Sequence, residues 1–184
     1  MIIMGSHAVT AIKTQKNRKD FVHHLLNDIE ALEYMIKNDL FENGIQRVGV
    51  EQELCIVDKD YRPSTNALEI LNKINDIHYT TELALFNLEI NLDPCELKDT
   101  CFSDIEKQLI ALLEKGYKVA TETDNNKIIL TGILPTLRKK DLIFKNVTPF
   151  KRYKTLNKVL KTVSYTHLRA HETGRNLVCR LLLE

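Results

Sequence analysis

Apolar and polar positions recur along the chain with two periods, one typical of helices and one typical of strands. Apolar residues at spacings of three and four predict helices, and alternating residues predict strands with one apolar face. The predicted helices cover residues 19–40, 66–75, 103–121 and 150–162. The predicted strands cover residues 45–57, 80–92 and 127–134. This order, α-β-α-β-α-β-α, indicates a protein of mixed helix and strand layers.

For the two central helices, the sequence also predicts where the third helix begins and which side chains of both helices are buried. The third helix is expected to begin with a capping box at Ser103, because a glutamate follows three positions later. The side chains expected to point inward from the two helices are Leu68, Leu71, Ile74, Ile105, Leu109, Leu112 and Leu113.

In the predicted strand over residues 80–92, the alternation of side chains determines which acidic residues share a face. Asn87, Glu89 and Asn91 alternate with apolar residues and therefore form one polar face. Glu82 has the parity of the apolar residues, so an ideal strand directs it away from Glu89. Only a bulge or an earlier strand start brings these two carboxylates together.

Composition and charge exclude several classes of partner. The 184 residues carry 26 Lys and Arg against 25 Asp and Glu, so no excess of positive charge attracts nucleic acid, and no nucleic-acid-binding motif is present. No apolar run approaches the roughly 18 residues of a membrane span. Four irregularly spaced cysteines are more typical of reduced thiols in a cytoplasmic protein than of a disulfide scaffold.

Lysine usage changes abruptly near Val163. Residues 1–163 contain 18 Lys and 5 Arg, whereas residues 164–184 contain 3 Arg and no Lys. The final segment, SYTHLRAHETGRNLVCRLLLE, resembles translated sequencing-adapter read-through, and the alternative for it is a short amphipathic helix. We therefore predict a polar N-terminal segment at 1–18, a domain at 19–163 and a non-native tail at 164–184.

The first chemical signal is a pair of carboxylates, Glu51 and Glu53, on the predicted strand 45–57. Residues two apart on a strand point the same way, about 6.6–6.8 Å apart at the backbone. Such a pair in a cleft suits a hard divalent cation, since Mg²⁺ takes one or two carboxylates and bridges to nucleotide phosphates. The alternative is that both side chains lie on the solvated face of an edge strand.

Two further signals occur later in the chain. Glu89 lies between two asparagines on a presumed central strand, which indicates a lined cavity or, alternatively, a half-solvated antiparallel strand. The bases at 138–140 and the pair Lys151 and Arg152 are candidates for binding carboxylate or phosphate, because an arginine fork contacts both bidentately. The run at 138–140 is also compatible with a solvated loop.

Four short motifs occur together in the order found in one enzyme family. Residues 49–53 read GVEQE, Glu89 ends a polar stretch, residues 132–135 read GILP, and Arg152 precedes a tyrosine. This set resembles the glutamate–cysteine ligase family, in its carboxylate–amine ligase branch. The resemblance runs from about Arg47 to Tyr153. Gln52 departs from it, because many relatives have glutamate at that position.

The resemblance implies an α+β fold: a partial glutamine-synthetase-like, mainly antiparallel sheet with flanking helices. It implies ATP and Mg²⁺ (or Mn²⁺) as cofactors and small-molecule amino acids as substrates. The γ-carboxylate of glutamate would be phosphorylated, and an amine such as cysteine would displace the phosphate, a step of glutathione biosynthesis. Glu51, Glu53 and Glu89 are implied to hold the metal ions, and Arg152 to pair with a substrate carboxylate or phosphate. Because the family's catalytic domain is much longer, residues 19–163 are expected to be its N-terminal half, truncated and inactive alone.

Two other functions are compatible with the same residues. A non-catalytic ligand-binding or regulatory relative would keep the fold without turnover, and Gln52 allows this. An unrelated interaction domain would carry the acidic pairs on a solvated surface. The first alternative predicts ligand binding without ATP turnover, and the second predicts no Mg²⁺-dependent stabilisation.

Overall fold

The computed structural model describes Val9 and residues 12–162, with side chains as far as Leu156. The tail predicted at 164–184, and the alternative helix there, lie outside this range. Within residues 12–162, no helix combines the length and the apolar character needed to cross a membrane. The chain divides into two compact units, one ending at Gln46 and the other beginning at Arg47.

The first unit contains one long helix, α1 (Gln15–Lys37). Thr14 caps it: the Thr14 hydroxyl accepts from the Asn17 backbone N–H at 3.1 Å, and the Asn17 side chain accepts from the Thr14 N–H at 3.2 Å. This reciprocal pair satisfies two backbone donors that have no partner within the helix. The predicted helix is confirmed, but it begins before residue 19 because the cap precedes the apolar stripe.

The second unit combines helices with small antiparallel sheets. Its strands are β1 (Arg47–Val48), β2 (Glu51–Val57), β3 (Tyr79–Thr81), β4 (Asn87–Asn91), β5 (Cys95–Glu96) and β6 (Lys127–Ile129). Its helices are α2 (Ala67–Ile74), α3 (Cys101–Glu122) and α4 (Lys151–Thr162), with 3-10 turns at Lys139–Asp141 and Phe144–Asn146. One antiparallel sheet has the order β3-β4-β2-β6, and the other pairs β1 with β5. These elements confirm the α+β class.

The single strand predicted over residues 80–92 is wrong: this segment is a hairpin of β3 and β4. Thr80 lies opposite Glu89, and Thr81 lies opposite Leu88. In the loop between them, the Asn87 N–H donates to the Ala84 carbonyl at 3.0 Å and closes the turn. The hairpin reverses the chain near Ala84, so side-chain parity no longer runs unbroken through the segment.

One face of the four-stranded sheet is apolar and packs against α2 and α3. Its centre is formed by Leu54, Leu88 and Ile90, which are fully buried. The inward residues predicted for α3 all belong to this core, either buried or packed against it. For α2 the buried residues are Ala67, Ile70 and Ile74, so the stripe centres on Ile70 rather than on Leu68 and Leu71. Helix α2 is apolar over a wide arc, and packing on the sheet selects which part is buried.

The start of α3 differs from its prediction in two ways. The helix begins at Cys101 rather than at Ser103, and the Thr100 hydroxyl donates to the Asp104 carboxylate at 2.7 Å. Cys101 is joined to Cys95 of β5 by a disulfide, which contradicts the expectation of reduced thiols at these two positions. Cys55 is free and buried, as expected for a structural cysteine.

Candidate functional site

The face of the sheet opposite the apolar core carries the predicted acidic residues. Across the β2–β4 pair, Glu53 lies opposite Glu89, and Glu51 lies opposite Asn91. Antiparallel partners point to the same face, with Cα atoms about 4.5–5.5 Å apart. The strand register therefore brings Glu51, Glu53 and Glu89 to one face. This group, together with Asn91 and Glu82, is called the acidic face below.

Glu82 belongs to the acidic face because of the hairpin. Thr80 of β3 lies opposite Glu89, and Glu82 follows two residues later, so it has the facing parity of Thr80. Glu82 is close enough to Glu89 to raise the pKa of its carboxyl group, through a side-chain hydrogen bond and through its charge. Sequence reasoning missed this residue, since it treated residues 80–92 as one strand and directed Glu82 to the opposite side. The seven-residue spacing from Glu82 to Glu89 predicts that the two side chains share a face only once the hairpin between them is known.

Glu89 lies in an environment that perturbs its carboxyl group. Its side chain is half-buried, and burial raises the pKa of its carboxyl group. The hydrogen bond and charge of Glu82 raise this pKa further, whereas the Asn91 amide, donating to Glu89 Oε1 at 2.6 Å, lowers it. Two carboxyl groups share a hydrogen bond only if one carries a proton. The pair therefore favours a positive charge between its oxygens, from either a proton or a cation.

The segment before α4 anchors the hairpin loop beside the acidic face. The Leu85 N–H donates to the Asn146 carbonyl, and the Thr148 N–H donates to the Leu83 carbonyl, both at 2.8 Å. The Thr148 hydroxyl, almost fully buried, donates to the Glu82 carbonyl at 2.6 Å. These bonds fix the backbone of Glu82, and the Leu83 N–H, donating to Glu82 Oε2 at 2.8 Å, holds its carboxylate.

The predicted Arg-Tyr pair follows at the start of α4. The Tyr153 hydroxyl donates to the Thr81 carbonyl at 3.4 Å. Burial raises the pKa of Tyr153, the charges of Glu82 and Glu89 raise it further, and Arg152 lowers it. Tyr153 thus lies near the two carboxylates, while Arg152 is exposed one residue earlier. The structure brings Tyr153 to the acidic face and leaves Arg152 at the solvent.

The other motif segments surround the same sheet face. Cys55 and Val57, which share the parity of Glu53, form a small apolar cluster with Leu134 of the GILP motif. The Cys55 thiol also lies against the Thr131 carbonyl. The loop containing residues 132–135 therefore covers the face next to its acidic end.

The basic run at 138–140 is exposed, as the solvated-loop alternative predicted. The loop is held from inside by Arg62, whose guanidinium donates to the Thr136 carbonyl and pairs with Asp141. Gln52, the departure from the family motif, donates its amide to the Glu53 carbonyl at 2.8 Å.

The donors on the acidic face are carboxylate and amide oxygens, the ligand type that Mg²⁺ and Mn²⁺ prefer. Among the described residues, no three or more His, Cys, Asp or Glu side chains already surround a common metal position. Mg²⁺ keeps several waters and is commonly held by one or two carboxylates with substrate phosphates. The cross-strand pair of Glu53 and Glu89 fits that requirement.

A separate polar cluster ties the hairpin to α3. His78 Nδ1 lies 2.8 Å from Asp76 Oδ1, and His78 Nε2 lies 3.1 Å from Asp93 Oδ2. From α3, Gln108 donates to Asp93 at 2.7 Å and Lys115 donates to Asp76 at 2.8 Å. The hydrogen bond to Asp76 raises the pKa of His78. Although burial opposes it, hydrogen bonds from Lys115 and His78 lower the pKa of Asp76 to about 2.

No family model, curated protein or solved structure matches the chain. The support for a proposed function therefore comes from the chain's own residues: the order of the motifs, the acidic face and the elements packed beside it.

Proposed function

We propose that the acidic face binds Mg²⁺ (or Mn²⁺) together with ATP, and that the chain serves in an ATP-dependent carboxylate–amine ligase of the glutamate–cysteine ligase type. The observation that supports this most is the pairing of Glu53 with Glu89 across the sheet, where the nearby Glu82 also raises the pKa of Glu89. Glu51 and Glu53 are exposed on this face and Glu89 is half-buried. Carboxylates gathered on one sheet face favour a divalent cation, because the cation relieves their mutual repulsion.

The proposed architecture is part of a glutamine-synthetase-like sheet. Two observations support it. The sheet is antiparallel throughout, in the order β3-β4-β2-β6. Helices α2 and α3 cover its apolar face, and the 132–135 loop packs over Cys55 and Val57 on the other face, so the acidic end of that face is left for ligands. This division suits a fold that binds substrates on one side of a sheet and keeps its helices on the other.

Each residue has a proposed task in binding glutamate and ATP. Glu51, Glu53 and Glu89 would hold a metal ion, which when bound supplies charge neutralisation at the β- and γ-phosphate oxygens. Arg152 would pair with a substrate carboxylate or phosphate. Tyr153, through its bond to the Thr81 carbonyl, would position the start of α4 and therefore Arg152.

A non-catalytic ligand-binding relative is the second candidate. It is favoured by Gln52, which stands where many members of the family have glutamate and whose amide donates to the Glu53 carbonyl at 2.8 Å. The two candidates differ in turnover. A ligase with its complete catalytic domain releases ADP and phosphate when glutamate and an amine such as cysteine are added with MgATP, whereas a ligand-binding module binds the nucleotide or amino acid without releasing phosphate.

Calorimetric titration of the full chain with Mn²⁺, in the presence of a non-hydrolysable ATP analogue, tests the proposal. Wild type should bind the metal, and Glu89→Gln should weaken binding by at least about tenfold, since each 1.4 kcal/mol of lost binding energy is a factor of ten. Glu114→Gln, at an exposed position of α3, is the matched control and should bind like wild type. Equal binding by Glu89→Gln and wild type would overturn the proposal.

A further inference from the structure

The two cysteines that flank the β5–α3 connection form a disulfide outside the acidic face. Cys95 lies in β5, Cys101 is the first residue of α3, and a disulfide joins them across six positions. The chain between them is a tight turn: the Lys98 N–H donates to the Glu96 carbonyl at 2.8 Å, and the Cys101 N–H donates to the Lys98 carbonyl at 3.0 Å. The backbone thus keeps the two Cα atoms 6.2 Å apart through bonds that do not involve sulfur.

We propose that Cys95 and Cys101 form a reversible thiol–disulfide switch that controls the order of the β1–β5 ribbon. This ribbon has only two residues in each strand, with Val48 opposite Cys95 and Arg47 opposite Glu96. A two-stranded ribbon this short is marginal by itself. The disulfide links it covalently to α3, which has 22 residues and is anchored in the core.

The pair has the features of an exchangeable disulfide. Cys95 is half-buried, whereas Cys101 is only 5% exposed, so an incoming thiolate reaches the Cys95 sulfur first. Cys101 then leaves as a thiolate at the N-terminus of a long helix, where the dipole favours negative charge. The short turn keeps this thiolate beside Cys95, ready to close the bond again.

Glutathione serves as the reductant of the Cys95–Cys101 disulfide, and glutathione disulfide serves as the oxidant of the two thiols. In reduction, one glutathione thiolate forms a mixed disulfide with Cys95, and a second attacks that mixed disulfide and leaves as glutathione disulfide. The protein pair gains two electrons and two protons, and two glutathione molecules are oxidised. Oxidation by glutathione disulfide is the reverse, with two glutathione thiols as products.

The ribbon leads directly into the acidic face. β1 ends at Val48, and β2 begins at Glu51. Between them, the Leu92 N–H donates to the Val50 carbonyl at 2.9 Å, which connects the end of the hairpin to the same segment. A disordered ribbon would therefore loosen the chain that positions Glu51. This link to metal binding rests on the proposed function, whereas the switch itself does not.

Thiol mapping tests the redox step. The full chain, in a Cys179→Ser background, is equilibrated with glutathione buffers of increasing oxidised fraction, and free thiols are trapped with N-ethylmaleimide under denaturing conditions. Peptide mass spectrometry should show Cys95 and Cys101 losing the label together, in one two-electron transition, while Cys55 keeps it. A pair that stays labelled in glutathione disulfide alone, or that yields only mixed disulfides, would overturn the proposal.

Amide hydrogen exchange without ATP or metal tests the structural step, so its outcome is independent of ligase function. Reduction should speed exchange at 47–48 and 95–96 by at least about tenfold and leave α2 unchanged. Cys95→Ser should match the reduced wild type in every buffer, and Cys55→Ser should keep the redox response. The reduced wild type gives the same comparison if Cys95→Ser does not fold. Equal exchange at 47–48 in both redox states would contradict the switch.

Discussion

The environment of the Glu89 carboxyl group is formed by residues on three strands and a loop. Asn91 follows it on β4, Glu53 and Thr80 lie opposite it on the two neighbouring strands, and Glu82 reaches it from the hairpin loop. Its pKa is raised by burial and by Glu82, and a raised carboxyl pKa means that the folded protein holds the proton more tightly than the unfolded chain. Changes at Glu82 should therefore be detectable at Glu89.

The variant Glu82→Gln should lower the pKa of Glu89 toward its ordinary value of 4.5, because the neighbouring charge is removed. Stability associated with a raised carboxyl pKa is present at low pH and is lost as the pH rises through that pKa. The variant should thus gain less than about 1 kcal/mol of unfolding free energy at pH 7 and nothing at pH 3. Carbon-13 NMR titration of the side-chain carboxyls measures the pKa. Glu106→Gln, on α3, is the control, and an unchanged Glu89 titration in Glu82→Gln would contradict the assignment.

Gly116 is the clearest steric constraint in α3. A Cβ atom at this position would lie 2.6 Å from Tyr79 Oη and 3.2 Å from Ile128 Cδ1. Alanine is favoured over glycine in a helix by about 1 kcal/mol, yet we expect Gly116→Ala to destabilise the fold by about 1–3 kcal/mol through overpacking. The penalty should shrink in a Tyr79→Phe background, which removes the clashing oxygen. Urea unfolding measures both.

Gly132→Ala is the matched control for this change, because nothing lies within 4 Å of the Cβ position there. Its unfolding free energy should stay within about 0.5 kcal/mol of wild type. A Gly116→Ala variant as stable as wild type, or more stable, would contradict the predicted clash and show that α3 and β3 can move apart to accept the added Cβ atom.

At the scale of elements, local periodicity predicted the helices but not that the strands predicted over 45–57 and 80–92 each divide in two, as β1 and β2 and as β3 and β4. Period-two alternation persists through residues 80–92, so the pattern is the same for one strand and for a hairpin. The deciding contacts are distant: the carbonyl of Glu82 is bonded by Thr148, 66 positions later in the chain. Glu82 was missed for this reason. The Cys95–Cys101 bond was missed because a turn, and not the cysteine spacing, brings the two together.

The cluster around His78 joins the hairpin to α3 and should make that junction depend on pH. The groups that face His78 are Asp76, Asp93, Gln108 and, through Asp76, Lys115. The pKa of His78 is raised above 6.5, so its contribution is fully present below pH 6.5 and is lost as the pH rises through the higher folded value. On the acid side, the lowered pKa of Asp76 gives stability that is lost as the pH falls toward 2.

Replacing this histidine, as in His78→Gln, should therefore reduce unfolding free energy by about 1 kcal/mol at pH 5.5, with a smaller difference at pH 8.5. Chemical denaturation at a series of pH values measures the difference. His24→Gln, at an exposed position of α1, is the control and should show no such trend. A difference that grows with pH would contradict the charged-histidine account.

At the scale of the molecule, one face of the four-stranded sheet in the second unit packs against α2 and α3, and the other carries the acidic residues beside a small apolar cluster. Period-two alternation predicted that Glu51 shares a face with Glu53, because that relation is local to one strand. The pairing of Glu53 with Glu89 depends on the register between strands, which the sequence does not show. The position of Tyr153 beside the acids also depends on long-range pairing of residues 146–148 with the hairpin loop. The sequence thus predicted which residue types form the site, but not that strand pairing brings them to one face of the sheet.

Paramagnetic broadening by Mn²⁺ tests the central claim, that the acidic face binds a divalent cation, most directly. Nitrogen–proton NMR spectra of the full chain are recorded during a Mn²⁺ titration, for wild type and for Glu53→Gln with Glu89→Gln. Broadening falls steeply with distance from the ion, so it reports where the ion sits. The predicted result is broadening centred on the amides of β2 and β4 around residues 53 and 89, abolished in the double variant. Broadening centred elsewhere in wild type, or unchanged in the double variant, would contradict the account.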